Sequence, residues 1–284
     1  LAPFKQRVLK AMMEMIRADL KMLGVVHDFF FYETALHGEN GKIEQTLAWL
    51  RQKDLVYQGR LAPPKGKPAK DWEDREQTLF RATEFGDDTD RPLIKSDGTY
   101  TYFAADIAYH RDKFLRGFND QIFVLGADHS GYSKRLAAAL KAVSGGQAAI
   151  DVKICQIVRL MRDGKPFKMS KRSGDLITVA DLVNEVGTDA ARFMLLFRRN
   201  DAMMDFDFAR VKEQTRDNPV FYVQYAHARI CSVLKRAKAA GITLDAAAAD
   251  LSEISHPSEL VLVKKLGEWP RLLELAARHH EPHR

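Results

Sequence analysis

The most reactive-looking stretch of the sequence is Lys168-Met169-Ser170-Lys171-Arg172, set in the basic segment GKPFKMSKRSGDL. Ammonium groups on a loop can close over a polyphosphate as charge builds on a departing pyrophosphate. They then stabilise the transition state more than the ground state. Gly164 and Gly174 flank the group and permit movement. The same residues also fit a solvated basic surface loop.

Two further stretches could hold small polar ligands. Ile122 to Tyr132 reads IFVLGADHSGY, an apolar run ending at Gly126 with Asp128 and His129 just beyond it. Ligands of open α/β sheets bind at the carboxyl ends of strands, where Asp128 could accept hydrogen bonds from ribose hydroxyls and His129 could meet a polar substrate group. An ordinary turn with Asp128 as a helix cap is the plainer alternative. Upstream, Tyr102 and Asp106 lie four apart on a predicted helix and share a face. A carboxylate and a phenol converging there suit a guanidinium, with Asp106 as the bidentate partner. The plainer alternative is a salt bridge from Asp106 to Arg111 or Lys113. A third candidate surface lies downstream. Tyr222, Tyr225 and Arg229 recur at helical spacing after Asn218-Pro219, and such a stripe can stack splayed RNA bases and contact phosphate. Val220, Val223, His227, Ile230 and Leu234 form a second, apolar stripe, with His227 expected as a hydrogen-bonded core residue.

The elements that must position these groups follow from periodicity. Residues 4 to 22 predict an amphipathic helix, 27 to 33 an aromatic strand, 43 to 51 a helix, and LVYQG and TLFRAT two strands. Asp97-Gly98 signals a tight turn before a helix from about Phe103 to Phe114. Strand DQIFVLG, a helix over 132 to 143 and strand KICQIVRLM follow, an order that predicts a parallel α/β sheet. Beyond Leu176 the sequence reads as helix, without an alternating segment, and 241 to 255 reads as an inter-helix loop or a short frayed helix.

The chain has 284 residues, 46% hydrophobic and 29% charged, with a formal charge of +6. That composition suits one large or two ordinary globular domains and is compatible with a polyanionic partner. No apolar run approaches the roughly 18 residues of a membrane helix, and no signal peptide is evident. Cys155 and Cys231 have no metal-type spacing, so free thiols in a reducing cytoplasm are expected.

Taken together, the sequence resembles the bacterial arginyl-tRNA synthetases, a class I family. KMSKR resembles the KMSKS motif with Arg in the last place, and GADHSGY resembles the G-x-D-Q/H segment. The stretch from Asp71 to His110 resembles the family's catalytic core, Gly187 to Phe193 its D-A-L-R segment, and NPVFYVQYAHARI its anticodon-binding helices. The resemblance implies a parallel class I Rossmann-like sheet, incomplete here, followed by an all-α anticodon-binding bundle. It places 1–176 in the catalytic domain, 177–205 in a helical connector and 206–284 in the anticodon-binding domain. It implies arginine binding at Tyr102, Asp106 and His129, and ATP binding at Gly126, Asp128, Met169, Ser170 and Arg172. Lys168 and Lys171 become the catalytic pair, and Tyr222, Tyr225 and Arg229 the tRNA contacts. ATP, with Mg2+, L-arginine and tRNA-Arg are the implied ligands of a cytoplasmic monomer. The family's H-x-G-H motif is absent from the sequence. The chain therefore reads as a piece lacking an N-terminal part and a C-terminal end, expected to be inactive alone. A non-catalytic RNA-binding module and another KMSKS-bearing nucleotidyl transferase are the competing readings.

Overall fold

The computed structural model describes residues 2–63, 74–167, 177–243, 245, 247 and 249–284. The chain divides into two compact units, Asp28–Cys155 on one side and Leu1–His27 with Gln156–Arg284 on the other.

The first unit is the α/β part. Helix α2 (Lys42–Gln52) leads into an antiparallel sheet of β1 (Val56–Gly59), β2 (Gln77–Phe80) and β3 (Arg91–Pro92). Helix α3 (Tyr102–Leu115) begins at Thr101, whose hydroxyl oxygen accepts from the Ala104 N–H at 3.2 Å and whose O–H donates to the Pro92 carbonyl at 2.9 Å. The turn before it carries Gly98 at φ 80°, and Ile94 bridges Tyr100 across it, as Asp97-Gly98 predicts. Strands β4 (Asp120–Gly126) and β5 (Ala149–Cys155) are parallel, in register from Asp120↔Ala149 to Gly126↔Cys155, with α4 (Ser133–Ser144) as the crossover. The small residues Ala104, Ala108 and Ala139 let α3 and α4 approach closely. Ile43, Leu47, Leu50, Phe80, Ile107 and Leu140 fill the space between the helices and the first sheet. Burying each of the large side chains is worth roughly 1.5–3 kcal/mol.

Several expectations need correction in this unit. Residues 27 to 32 form no strand, because their aromatic rings dock on α3 instead of joining a ladder. Phe31 stacks on Tyr109 at 4.3 Å, and Arg116 covers Phe29. Strand β4 is not a fully buried strand. Ile122 and Val124 are exposed on the face opposite the buried Gln121, and β5 is its sole ladder partner among the described residues. Asp128 caps no helix. Gly126 precedes a 3₁₀ turn, Ala127–Tyr132, and Tyr132 precedes α4.

The second unit holds α1 (Ala2–Met22) and everything after β5. Strand β6 (Val158–Arg162) pairs antiparallel with β7 (Lys165–Pro166) and parallel with β8 (Met204–Asp207). The apolar run KICQIVRLM is therefore two strands in two sheets, broken at Gln156, whose N–H donates to the Asn200 carbonyl at 2.8 Å. Strand β8 also corrects the all-helical reading after Leu176. Met204 and Phe206 point inward and join Phe208 and Val211 in a core against Leu160, Leu182 and Met194. Asp207 accepts from the Gly164 N–H at 2.8 Å, in the turn where the basic segment starts, and caps α7 (Phe208–Lys212) through Ala209 N–H at 3.0 Å.

Helices α5 (Val179–Val186) and α6 (Thr188–Leu196) are joined at Gly187, φ 81°. Thr188 donates to the Met22 carbonyl at 2.8 Å and Arg192 to that of Leu23 at 2.6 Å, tying down the end of α1. The apolar stripe of α1 is otherwise exposed at Phe4, Val8, Met12 and Met15. Helix α8 (Pro219–Ala239) starts as its sequence predicts. The Asn218 carbonyl oxygen caps Val220, while its amide donates to Val211 and Glu213 carbonyls at 2.8 and 2.7 Å. Helices α9 (Pro257–Gly267) and α10 (Trp269–His279) complete the unit, with one short 3₁₀ turn, Leu251–Glu253, in the Ala-rich stretch before them. No helix among the described residues is long and apolar enough to cross a membrane.

Candidate functional site

Strand β4 delivers Gly126 and the 3₁₀ turn after it, and α3 delivers Asp106. A Cβ on Gly126 would lie 2.7 Å from Asp128 Oδ1, so the absent side chain is what lets the Asp128 carboxylate fold back on the strand end. His129 Nε2 stands 3.6 Å from Asp128 Oδ2, and its ring meets Tyr132 edge-on at 6.4 Å. Asp128 and His129 are both open to solvent and available to a ligand.

Asp106 is half-buried, and the phenol that faces it is Tyr132. Burial raises its pKa to about 6, against the hydrogen bond from Tyr132 and the charge of Lys113, while Glu33 adds to the rise. Burial and the Asp106 charge in turn push the Tyr132 phenol up, and Arg135 pulls it back. The Arg135 guanidinium carbon lies 4.8 Å from the centroid of the Tyr132 ring. Lys113 sits over the Phe123 ring at 3.7 Å and the Tyr109 ring at 4.3 Å, and burial, helped by Arg116, brings its ammonium down to about 8. Below Asp106 on α3, His110 is fully buried. Its Nδ1 meets Gln121 Oε1 of β4 at 3.1 Å, and burial lowers its pKa to about 3, so the ring is neutral. A carboxylate this desolvated favours a cationic ligand, because a guanidinium restores the interactions that burial removed.

The predicted residues are placed as follows. Asp106, Gly126, Asp128 and His129 belong to the same unit. Tyr102, at the first turn of α3, is 80% exposed beneath the Lys95 ammonium, so its phenol is not the one on Asp106. Asp106 also makes no salt bridge with Arg111, which instead lies over the Trp49 ring at 5.2 Å. Lys168, Met169, Ser170, Lys171 and Arg172 lie outside the described residues. The sequence reading passed over Tyr132 and Arg135. Both stand within or just after the GADHSGY stretch, six and nine positions beyond Gly126, and the signal for them was a phenol and a guanidinium three apart at a helix start.

In the second unit, Tyr222, Tyr225 and Arg229 line a groove of about 650 Å³ at the start of α8, together with Arg216 and Phe221. Phe221 and Tyr225 are stacked with centroids 6.1 Å apart. The apolar stripe is not a core face. Val220 alone is buried, while Val223, Ile230 and Leu234 are exposed. His227 is likewise exposed, with Nε2 3.6 Å from Cys231 Sγ, because no element among the described residues packs over that side of α8.

The chain carries a class I aminoacyl-tRNA synthetase catalytic domain, in which the parallel strand pair bears G-x-D-H at its carboxyl end. Residues 71–232 match the family described as tRNA synthetases class I (R), catalytic domain, and residues 223–284 match the DALR anticodon binding domain. The first match spans more than half of the chain, and the chain belongs to the arginyl-tRNA synthetase family. An arginine–tRNA ligase of Methylorubrum extorquens is 60% identical over 281 residues, 96% of this chain and 48% of that relative. One of Ruegeria pomeroyi is 59% identical over 277 residues, again 96% and 48%. The chain thus spans about half the length of the curated relatives it matches. The solved arginyl-tRNA synthetase of Thermus thermophilus shares the fold, with a TM-score of 0.70 at 20% identity over 94% of this chain and 51% of that one.

Proposed function

We propose that the chain carries the arginine subsite, part of the ATP cradle and part of the anticodon-binding surface of an arginine–tRNA ligase. The reaction is attack of the arginine carboxylate on ATP to give arginyl-adenylate and pyrophosphate, followed by transfer of arginine to tRNA-Arg. The observation that carries this reading is the half-buried Asp106 carboxylate in the same unit as the Gly126–His129 strand end. In it, Asp106 takes the guanidinium, His129 lies near the amino acid, Asp128 binds the ribose, and Tyr102 supports the arginine site from the rim. Met169, Ser170 and Arg172 hold ATP, and Lys168 and Lys171 clamp the departing pyrophosphate. Mg2+ enters on the ATP phosphates, which suits an ion that keeps most of its water. Residues 1–176 form catalytic domain, 177–205 the connector and 206–284 the anticodon-binding part of a cytoplasmic monomer.

The test uses a polypeptide in which residues 1–284 replace the matching segment of the Methylorubrum extorquens relative. Arginine-dependent ATP–pyrophosphate exchange is expected, with Asp106→Asn raising the arginine KM and Lys171→Ala lowering kcat. Unchanged arginine KM in the Asp106→Asn variant overturns the subsite assignment. The chain by itself, lacking H-x-G-H, is expected to show no exchange.

A further inference from the structure

The turn that leads into the basic segment is held from outside its own hairpin. Strands β6 and β7 pair at Arg162↔Lys165, and between them Asp163 and Gly164 have φ of 51° and 74°, the positive values a type I′ turn requires. That pairing makes no use of the Gly164 N–H. Asp207 takes it: Oδ2 accepts from the Gly164 N–H at 2.8 Å while Oδ1 accepts from the Ala209 N–H at 3.0 Å. Asp207 is 7% exposed and lies opposite Met161 on the ladder of β6 and β8. One buried carboxylate thus ties the hairpin to the first turn of α7. A second tie sits at the open end of the hairpin. The Phe167 N–H donates to the Leu160 carbonyl at 2.8 Å, and the Arg162 guanidinium carbon lies 5.7 Å from the Phe167 ring centroid and 5.5 Å from that of Phe208. Arg162 Nη2 also donates to Glu185 Oε2 of α5 at 2.8 Å, and Glu185 Oε1 accepts from Lys212 of α7 at 3.0 Å. Phe167 immediately precedes Lys168.

We propose that Asp207 is a positioning residue for the activation step: by pinning the Asp163–Gly164 turn to β8 and α7, it sets the place at which Phe167 passes the chain on to Lys168. The inference rests on the assignment of Lys168 and Lys171 to the departing pyrophosphate. A carboxylate suits the task, because it accepts on both oxygens and carries no hydrogen to turn towards either N–H. Strand β7 is two residues long and has few ladder bonds of its own, so an anchor at the turn fixes the direction of the hairpin. A small displacement of a reacting group is costly in rate even when its cause lies away from the chemistry and the fold is intact. Arginine is assigned to Asp106, which belongs to the other unit, so the loss should fall on kcat and not on the arginine KM.

The experiment measures ATP–pyrophosphate exchange by the Methylorubrum chimera carrying Asp207→Ser or Asp207→Asn. Both replacements can still cap α7. Ser is too short to reach Gly164 as well, and Asn keeps the shape of Asp but turns N–H groups towards one of the two donors. In each, kcat should fall roughly tenfold while the arginine KM stays within about twofold. The same changes are then made in a chimera that already carries Lys168→Ala and Lys171→Ala. There Asp207→Ser should lower kcat no further, because a residue acting through the lysines has nothing left to position. An unchanged kcat in Asp207→Ser overturns the proposal, and so does an equal fall with and without the lysines, which a general packing defect would give. Failure of the clamp assignment looks different: there the double lysine variant keeps the kcat of the parent chimera, whatever Asp207→Ser does.

Discussion

Gly126 and Asp128 are coupled through space: a methyl group at position 126 would stand 2.7 Å from Asp128 Oδ1. Gly126 has ordinary extended torsions, φ −70° and ψ 160°, so its role here is room and not a left-handed backbone. The atom in the way is the tip of an exposed side chain, which can swing aside without disturbing the core. Gly126→Ala is therefore expected to fold with a melting temperature within a few degrees of wild type, yet to displace the carboxylate proposed for the ribose. In the Methylorubrum chimera the ATP KM should rise roughly tenfold, as for a lost charge-assisted hydrogen bond, with the arginine KM little changed. An unchanged ATP KM would remove Asp128 from the ATP site.

His110 gives a pH prediction with a defined sign. Burial depresses its pKa to about 3, against about 6.5 when unfolded. Its contribution to stability is full above pH 6.5 and is lost as the pH falls toward 3, by roughly 1.4 kcal/mol per unit. Asp106, raised above its unfolded value, works in the opposite sense, so the informative comparison is with a variant at the same pH. Between pH 7.5 and pH 5.5 wild type should lose about 1.4 kcal/mol more than His110→Gln, read from native-state exchange of α3 amides. Equal losses in the two proteins would mean that His110 takes up its proton at the same pH in the folded and unfolded states.

The sequence was most legible where one element does one job. Helices α2, α3 and α4 and strands β1 and β2 fall within a few residues of their predicted places, because apolar periodicity there matches a single buried face. It was least legible where neighbouring segments divide their loyalties. KICQIVRLM is one apolar run, but its two halves serve different sheets, and nothing in local composition marks Gln156 as the break. Strand β8 is four residues long between helical segments, and its alternation of Met204, Asp205, Phe206 and Asp207 is too short to outweigh them. The site divides in the same way. Asp106 could be found from its spacing to Tyr102, but the phenol beside it comes from Tyr132, 26 positions later, through the β4 connection. A tertiary pair of this kind leaves no local periodicity.

The Asp87 and Arg91 pair gives a second stability test. The Asp87 side chain is 1% exposed and receives Arg91 Nε and Nη2 at 2.7 Å each. Burial pushes the Asp87 carboxyl up, but the Arg91 hydrogen bonds and charge more than offset this and hold it below its usual range. Arg91→Met strands a buried carboxylate and should destabilise the unit by about 3–5 kcal/mol. The double variant Arg91→Met with Asp87→Leu should recover much of the loss, because no charge is left buried. The pair's contribution is present above about pH 4 and fades below it, as the unfolded carboxyl and then the folded one become protonated. Thermal melts of the two variants check the ordering, and a double variant as unstable as the single one would mean that shape, not charge, holds the site.

The groove at the start of α8 gives a prediction about RNA. Tyr225 is 53% exposed, yet its orientation is fixed by the stacked Phe221 ring 6.1 Å away, and Arg229 and Arg216 flank it. A pre-oriented aromatic edge between two cations can take a splayed base on its face and a phosphate on either side. Tyr225→Ala should weaken tRNA binding roughly tenfold, within the range of one lost base stack, with the salt dependence unchanged. Arg229→Ala should lower the salt slope by about one, as expected for a lost phosphate contact. Neither change should alter the arginine KM in pyrophosphate exchange, since both residues belong to the unit that does not contain Asp106. Filter binding of a tRNA-Arg transcript to the chimera at several salt concentrations separates the two effects. Equal loss of affinity in Tyr225→Ala and in a distant control such as Leu260→Ala would assign the groove to packing and not to RNA.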